Sequence, residues 1–413
     1  MIIWVYSGII LLIIYVLVCF YNFRKSILFA IVIKPILDIT WDYNFLNIIT
    51  LSRILSVIFP ISLFIGLLFN LDKKPKTKAS IFFTIWIFYF TCSTVFTLTR
   101  HLIDGLDIYF RVLNAYCAFL VFPVFFKARE SELFKAFLLS SIIPIGIIFY
   151  QIITGTVWIP RYTMGLLRLV GPYHDSFTNR LYIMHGILAS LYFISLNNTT
   201  KPLAIIILFS GLGALYKVYS KAGFFIVGLW SCLSSIFVKK VRVILLSIII
   251  FIIGLNLAFH NKILNDILTV YSKEIHYLKG KETKERVFSG RFFIWDEEMK
   301  KWEKEVGTWG KLFGYGNPAK YVHNDFLRFL VSNGIVGLLI YSCFLVYVIM
   351  SLAYRYLKGP NLVILFATLA LFGYLVDSIG LVPSCYPAYN WFVWGLVGCA
   401  LSEKKRGYRP KLW

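Results

Sequence analysis

The chain has 413 residues, 59% of them hydrophobic, with a mean hydropathy of +0.75 and a formal net charge of +22. Soluble domains run near about 45–50% apolar, so this composition excludes a soluble enzyme and points to a polytopic membrane protein. The basic excess fits the Lys and Arg enrichment of cytoplasmic membrane loops, and no basic soluble module is present that would bind nucleic acid.

The start, Met1-Ile2-Ile3-Trp4, lacks a basic leader and a small-residue cleavage site, so residues 1–20 read as a retained first span. Apolar runs then predict spans over 2–20, 26–40, 49–69, 80–98, 108–126, 134–153, 178–196, 202–217, 222–238, 242–258, 324–353, 361–380 and 389–402. The second is interrupted by Lys34-Pro35, and proline removes a helix donor, so the count is 12 or 13. The expectation is one all-α polytopic membrane domain over 1–413, with one large external loop, 259–323, inserted in it. Seven cysteines are scattered, with Cys19, Cys92, Cys117 and Cys343 inside apolar runs. No Cys-x-x-Cys pair occurs, and they read as small core residues.

The basic residues orient the chain. Alternate connections carry Arg24-Lys25, then Lys73, Lys74, Lys76 and Lys78, then Lys127, Arg129 and Lys135. Lys201, Lys239-Lys240-Arg242, Arg355 with Lys358, and the tail from Lys404 to Lys411 continue the pattern. By the positive-inside rule that side is the cytoplasm, which puts the C-terminus inside. The opposite, external side then holds 154–177, the Tyr219-Ser220-Lys221 turn, 259–323 and 381–388.

Within the external loop, 290–305 reads as a helix capped by Ser289. Phe292, Trp295, Met299 and Trp302 recur on one face, with Asp296, Glu297, Lys300, Lys301 and Glu303 around the rest. Such a helix either lies flat on a membrane surface or caps the domain as a lid. Gly314, Gly316 and Pro318 then turn the chain toward His323. The span after His323 would be about 45 Å long if helical throughout, more than the hydrocarbon core. Asn333-Gly334 is the natural bend point, and Gly334 and Gly337 also permit close helix packing. No internal repeat and no inverted pair of broken helices is found, which weakens a transporter reading.

Several residues could carry chemistry. His323 precedes a helix that Asn324 can cap, and the positive helix end disfavours imidazolium there. It is either a neutral imidazole able to take a proton from a hydroxyl or a solvated loop histidine. Arg291, Arg168 and Lys221 are cations on or near the external rim. They suit a diphosphate, and the competing reading is headgroup contact or snorkelling. No Asp-x-Asp and no His/Cys/carboxylate cluster has metal-ligand spacing, while Asp38 and Asp42 are a weak four-residue pair. No nucleotide-binding glycine pattern occurs. Most spans are uncharged at their centres, with Asp377 the exception.

These residues resemble the O-antigen polymerase and O-antigen ligase superfamily of bacterial envelope enzymes. His323-Asn324-Asp325-Phe326-Leu327 with Gly334-Ile335-Val336-Gly337-Leu338-Leu339 is similar to the family's HNxxL…GxxGLL segment. Ser289-Gly290-Arg291-Phe292-Phe293-Ile294-Trp295 with Leu312-Phe313-Gly314-Tyr315-Gly316 is similar to its GRxxIW…LxGxG segment. Ser220-Lys221-Ala222-Gly223 stands where the family shows Ser-Arg, and lysine keeps the charge but loses the bidentate fork. Arg168-Leu169-Val170-Gly171-Pro172 with Asn179 is a further similarity.

The resemblance implies a multi-pass glycosyltransferase of C-type architecture in the bacterial inner (cytoplasmic) membrane, with its active site on the external side. It would be metal-independent, inverting and free of cofactors. Its partners would be an undecaprenyl-diphosphate-linked oligosaccharide, an acceptor glycan and membrane lipids, with a chain-length regulator as a further partner. His323 and Arg291 would be catalytic. Arg291, Lys221 and Arg168 would bind the diphosphate, and Asn324 and Asn179 would support them. A repeat-unit polymerase is the leading expectation, an O-antigen ligase acting on lipid A core the alternative, and a polysaccharide flippase a third reading.

Overall fold

The computed structural model describes residues 2–45, 49–70, 72, 77–99, 101–196, 199–258, 260–283, 286–287, 290–314 and 322–402. The expected basic positions Lys73, Lys74, Lys76 and Lys404 to Lys411, the cap Ser289, and the turn residues Gly316 and Pro318 lie outside them. The helices in chain order are α1 (Ile2–Tyr21), α2 (Phe23–Asp38), α3 (Leu51–Leu68), α4 (Lys78–Leu98), α5 (Leu102–Phe126), α6 (Glu130–Ser140), α7 (Ile142–Thr154), α8 (Ser176–Ser195) and α9 (Lys201–Val218). They continue as α10 (Lys221–Phe237), α11 (Lys239–Ala258), α12 (Lys262–Val270), α13 (Ser272–Leu278), α14 (Arg291–Glu305), α15 (Thr308–Phe313), α16 (Asp325–Lys358), α17 (Leu362–Gly380) and α18 (Pro387–Ser402). The fold is the expected all-α one, accompanied by two short antiparallel hairpins: β1 (Asn44–Phe45) with β2 (Ile49–Thr50), and β3 (Arg161–Thr163) with β4 (Leu166–Arg168).

Nine stretches among the described residues are long and apolar enough to cross a membrane: α1, α3, α4, α5, α6 with α7, α9, α11, α16 and α17. The chain is a helical, multi-pass membrane protein. The four other expected spans correspond to α2, α8, α10 and α18. α2, α10 and α18 have 16, 17 and 16 residues, and α8 has 20 but carries Asn179, Arg180 and His185. α8 is buried from Phe177 to Ile194 and α18 from Ala388 to Leu401. A helix enclosed by protein needs neither the full bilayer length nor uniform apolarity, because its polar groups find partners in its neighbours.

The cysteines divide in the same way. Cys117 is buried, but Cys92 and Cys343 are exposed, on helix faces the protein leaves uncovered. An apolar run in a membrane helix serves either a protein core or a lipid face, so hydropathy alone does not assign a core position.

The sequence reads as one membrane domain, and the described residues group into two compact units, 2–55 with 129–272 and 56–128 with 273–402. In the first, α8 packs on α6, α9 and α10, and α2 packs on α1 and α6. Asn22 caps α2, Asp175 caps α8 and Ser220 caps α10, each with a side-chain oxygen accepting a backbone N–H three residues on. In the second, α5 packs on α18 and α4, and α16 on α4, α15 and α17. Its core is aromatic: the Phe83 ring stacks on Phe344 at 4.3 Å and lies 5.2 Å from both Phe119 and Trp394. The Trp391 indole donates to Asn114 Oδ1 at 2.6 Å, and Asn114 donates to the Ser56 carbonyl at 2.8 Å.

The insertion 259–323 contains α12 to α15, where the sequence predicts a single helix. The predicted helix is α14, but Gly290, with φ +78°, occupies its cap position and offers no side-chain acceptor. One face of α14 packs on the protein. Trp295 and Trp302 pack on Val322 and Val331, and the Trp295 indole donates to the Val322 carbonyl at 3.1 Å.

α16 breaks at Gly334, where φ is +71° and ψ −178°. The freed backbone is satisfied from α4: the Tyr89 hydroxyl donates to the Asn333 carbonyl at 2.8 Å and the Ser93 hydroxyl to the Ser332 carbonyl at 3.3 Å. The end of α15 fits into this break. A Cβ on Gly334 would stand 2.4 Å from the Leu312 carbonyl oxygen, and one on Gly314 would stand 2.2 Å from that of Ser332. Two backbones touch here because neither residue has a side chain. Gly334→Ala is expected to lose about 1–3 kcal/mol of stability or more from backbone strain alone. Gly254→Ala in α11, where a Cβ meets nothing within 4 Å and the backbone is helical, is expected to be neutral or slightly stabilising. Equal melting temperatures of the two variants in detergent would contradict the close contact.

Candidate functional site

In the second unit the structure gathers His323, Asn324 and Arg291 at one helix end. Asn324 caps α16, its Oδ1 accepting the Leu327 N–H at 2.9 Å. Its Nδ2 donates to the Ile379 carbonyl in the last turn of α17 at 3.0 Å. Arg291 opens α14, and its guanidinium lies against the same turn, since a Cβ on Gly380 would stand 2.9 Å from Arg291 Nη1. His323 is exposed and has φ +50°, a left-handed conformation uncommon for a residue with a Cβ. The assembly therefore presents an accessible imidazole and a guanidinium around the end of α17. An imidazole can accept a proton from a hydroxyl, and a guanidinium can hold a phosphate oxygen pair.

Behind this rim lies a buried charged cluster that the sequence reading missed. Asp325, Arg328 and Ser384 are at most 3% exposed. The Asp325 carboxylate accepts from Arg328 Nε at 3.3 Å, the Ser384 N–H at 3.0 Å and the Ser384 hydroxyl at 2.5 Å. Arg328 Nη2 donates to Ser384 Oγ at 2.6 Å. Arg111, paired with Asp107 at 2.8 Å, donates to the Cys385 carbonyl at 3.4 Å. The signal was present in the sequence: Asp325 and Arg328 are charges inside an apolar helix, where unpaired charge is costly.

In the first unit Arg168, Lys221 and Asn179 surround the turn between α9 and α10. Arg168 Nε donates to the Val218 carbonyl at 2.9 Å, and the next residue's N–H donates to the Lys217 carbonyl at 3.1 Å. Asn179 is fully buried and donates to the Val170 carbonyl at 3.0 Å, so it holds the Arg168–Pro172 segment in place. Tyr219 in the turn has φ +47°, and its hydroxyl donates to Asp266 at 2.7 Å. Burial raises the Tyr219 hydroxyl's pKa, as does the bond to the Asp266 carboxylate. Lys221 is the first residue of α10, and its carbonyl accepts the Tyr271 hydroxyl at 2.8 Å.

Arg180 also belongs to this turn and was missed. It is 2% exposed, lies 4.7 Å from the Phe177 ring centre, and donates to Ser220 Oγ at 3.0 Å. A charge directly after Asn179 at the head of an apolar run was the available cue. Asp175, which caps α8 ahead of these residues, is held at about 2: burial opposes its charge, but bonds from His174, the Thr178 N–H and the Thr178 hydroxyl outweigh that.

The two weak carboxylates separate. Asp38 is tied to Lys34, Ser52 and the Tyr182 hydroxyl, and Asp42 is exposed. Asp377 is buried and accepts the Tyr389 hydroxyl at 3.0 Å. Among the described residues no three His, Cys, Asp or Glu side chains come together as metal ligands would.

Compared with known proteins, the chain matches no protein-family model and no curated sequence.

Proposed function

We propose that the protein is a membrane glycosyltransferase that polymerises lipid-linked polysaccharide repeat units. The observation that carries this reading is the grouping of exposed His323 with Arg291 and Asn324 at the end of α17. In the reaction, an acceptor sugar hydroxyl attacks the anomeric carbon of a glycan carried on undecaprenyl diphosphate. The new glycosidic bond forms as the bond to the diphosphate oxygen breaks. The bonding pair leaves with the undecaprenyl diphosphate, and His323 takes the hydroxyl proton. Arg291 holds the leaving charge. Attack from the face opposite the diphosphate inverts the anomeric centre. Arg168 and Lys221 are phosphate-binding candidates of the first unit in their own right. The site faces away from the cytoplasm in this reading, because the basic connections mark the opposite side.

A strain lacking the protein tests the reading through its glycan profile. The expected result is acceptor carrying a single repeat unit. Bare acceptor with accumulated lipid-linked polymer would instead assign a ligase. A block before any glycan reaches the external leaflet would assign a flippase and remove the transferase reading.

A further inference from the structure

His323 is held on both sides. Val322 before it is buried against Val331, and its carbonyl accepts the Trp295 indole. Asn324 after it binds the Ile379 carbonyl, and Asp325 binds both the N–H and the hydroxyl of Ser384. The first turn of α16 is therefore fastened at two points, five residues apart, one on the last turn of α17 and one on the connection that follows it. The second fastening is buried and charge-assisted: Asp325, paired with Arg328 within α16, accepts from Ser384, Arg328 Nη2 donates to Ser384 Oγ, and the Ser384 carbonyl is itself fixed by Asn390 Nδ2 at 2.7 Å. A well-packed apolar contact would anchor a helix as firmly without burying two charges. What directional bonds add is register, and the residue whose register they fix is the one with the uncommon backbone. Left-handed residues persist where surrounding structure over-determines them.

We propose that Asp325, Arg328 and Ser384 are positioning residues that hold His323 in its left-handed conformation at the mouth of α16. Its catalytic consequence rests on the reading of His323 as the base, whereas its conformational content does not. Cutting the lock lets residue 323 relax to an ordinary conformation and moves the imidazole away from the acceptor hydroxyl.

The experiment is a melting cycle on the full-length protein in detergent, with activity measured alongside. Glycine takes a positive φ freely and alanine does not, while in an ordinary conformation glycine is the less stable of the two. With the lock intact, His323→Gly should melt above His323→Ala. In a Ser384→Ala background, which leaves the Asp325–Arg328 pair in place, that order should shrink or reverse. Asp325→Asn should do the same, and Ser384→Ala keeps the test open if the Asn variant fails to fold. With His323 present, Ser384→Ala should lower kcat by up to about 10²-fold with little change in KM for lipid-linked donor, as expected for misplacement of a reacting group. A glycine-over-alanine difference unchanged by Ser384→Ala overturns the proposal. Normal turnover by His323→Ala would show instead that the reading of His323 as base has failed, and the melting cycle would then decide the lock alone.

Discussion

His323→Ala is expected to slow glycan extension by roughly 10²–10⁴-fold, the range that positioned general bases contribute. Binding of the lipid-linked donor should change far less, because in the proposed reaction cations rather than the imidazole hold the diphosphate. Single-turnover extension and donor binding, measured on the same purified protein, separate these. The glutamine variant discriminates between two roles. Glutamine can hydrogen-bond to an acceptor hydroxyl but cannot take its proton. Failure by both Ala and Gln supports proton transfer, and recovery by Gln leaves His323 an orienting group. The structure sharpens this test. His323 is exposed and the charges of the buried cluster are carried by Asp325 and Arg328, so neither substitution empties a core position or removes a member of that cluster. A loss of activity therefore should not come with a loss of folding.

Arg291→Ala should cost about 10²–10³-fold in turnover, the effect of removing one preorganised donor from a developing negative charge. Arg291→Lys should recover little, since lysine lacks the planar fork that meets two phosphate oxygens at once. Gly380 gives a second handle on the same side chain. Its missing Cβ is what lets the guanidinium lie against the end of α17, with Nη1 2.9 Å from where that Cβ would be. Gly380→Ala should displace the guanidinium and give a smaller loss in the same direction. Wild-type turnover by a well-inserted Arg291→Ala protein would remove Arg291 from the chemistry.

The two units differ in how their candidate residues are held. Arg291 approaches the last turn of α17 by its side chain, while Arg168 is tied by its Nε to the Val218 carbonyl. Substituting Arg168 therefore disturbs the α9–α10 turn as well as any phosphate contact.

Much of this protein was legible in its sequence because a bilayer imposes a simple rule. Each run of about 20 apolar residues must satisfy its own backbone, so it becomes a helix. Every predicted span corresponds to a helix, or at 134–153 to the consecutive pair α6 and α7, and α14 begins within one residue of its predicted start. The break in α16 falls at Gly334 because that helix needs a left-handed residue there and glycine supplies one at least cost. Asn324 as a cap was legible for the same local reason. What the sequence could not assign was which helices are enclosed. α8 and α18 are polar or short because protein surrounds them, and only packing reveals that. Nor could it supply partners distant along the chain. Asn324 meets Ile379, Asp325 meets Ser384, Arg291 lies on Gly380, and Arg180 reaches Ser220. Local periodicity and capping are decided within a few residues of the chain. The placement of a buried charge is decided by whichever remote group satisfies it, and that is a property of the tertiary structure alone.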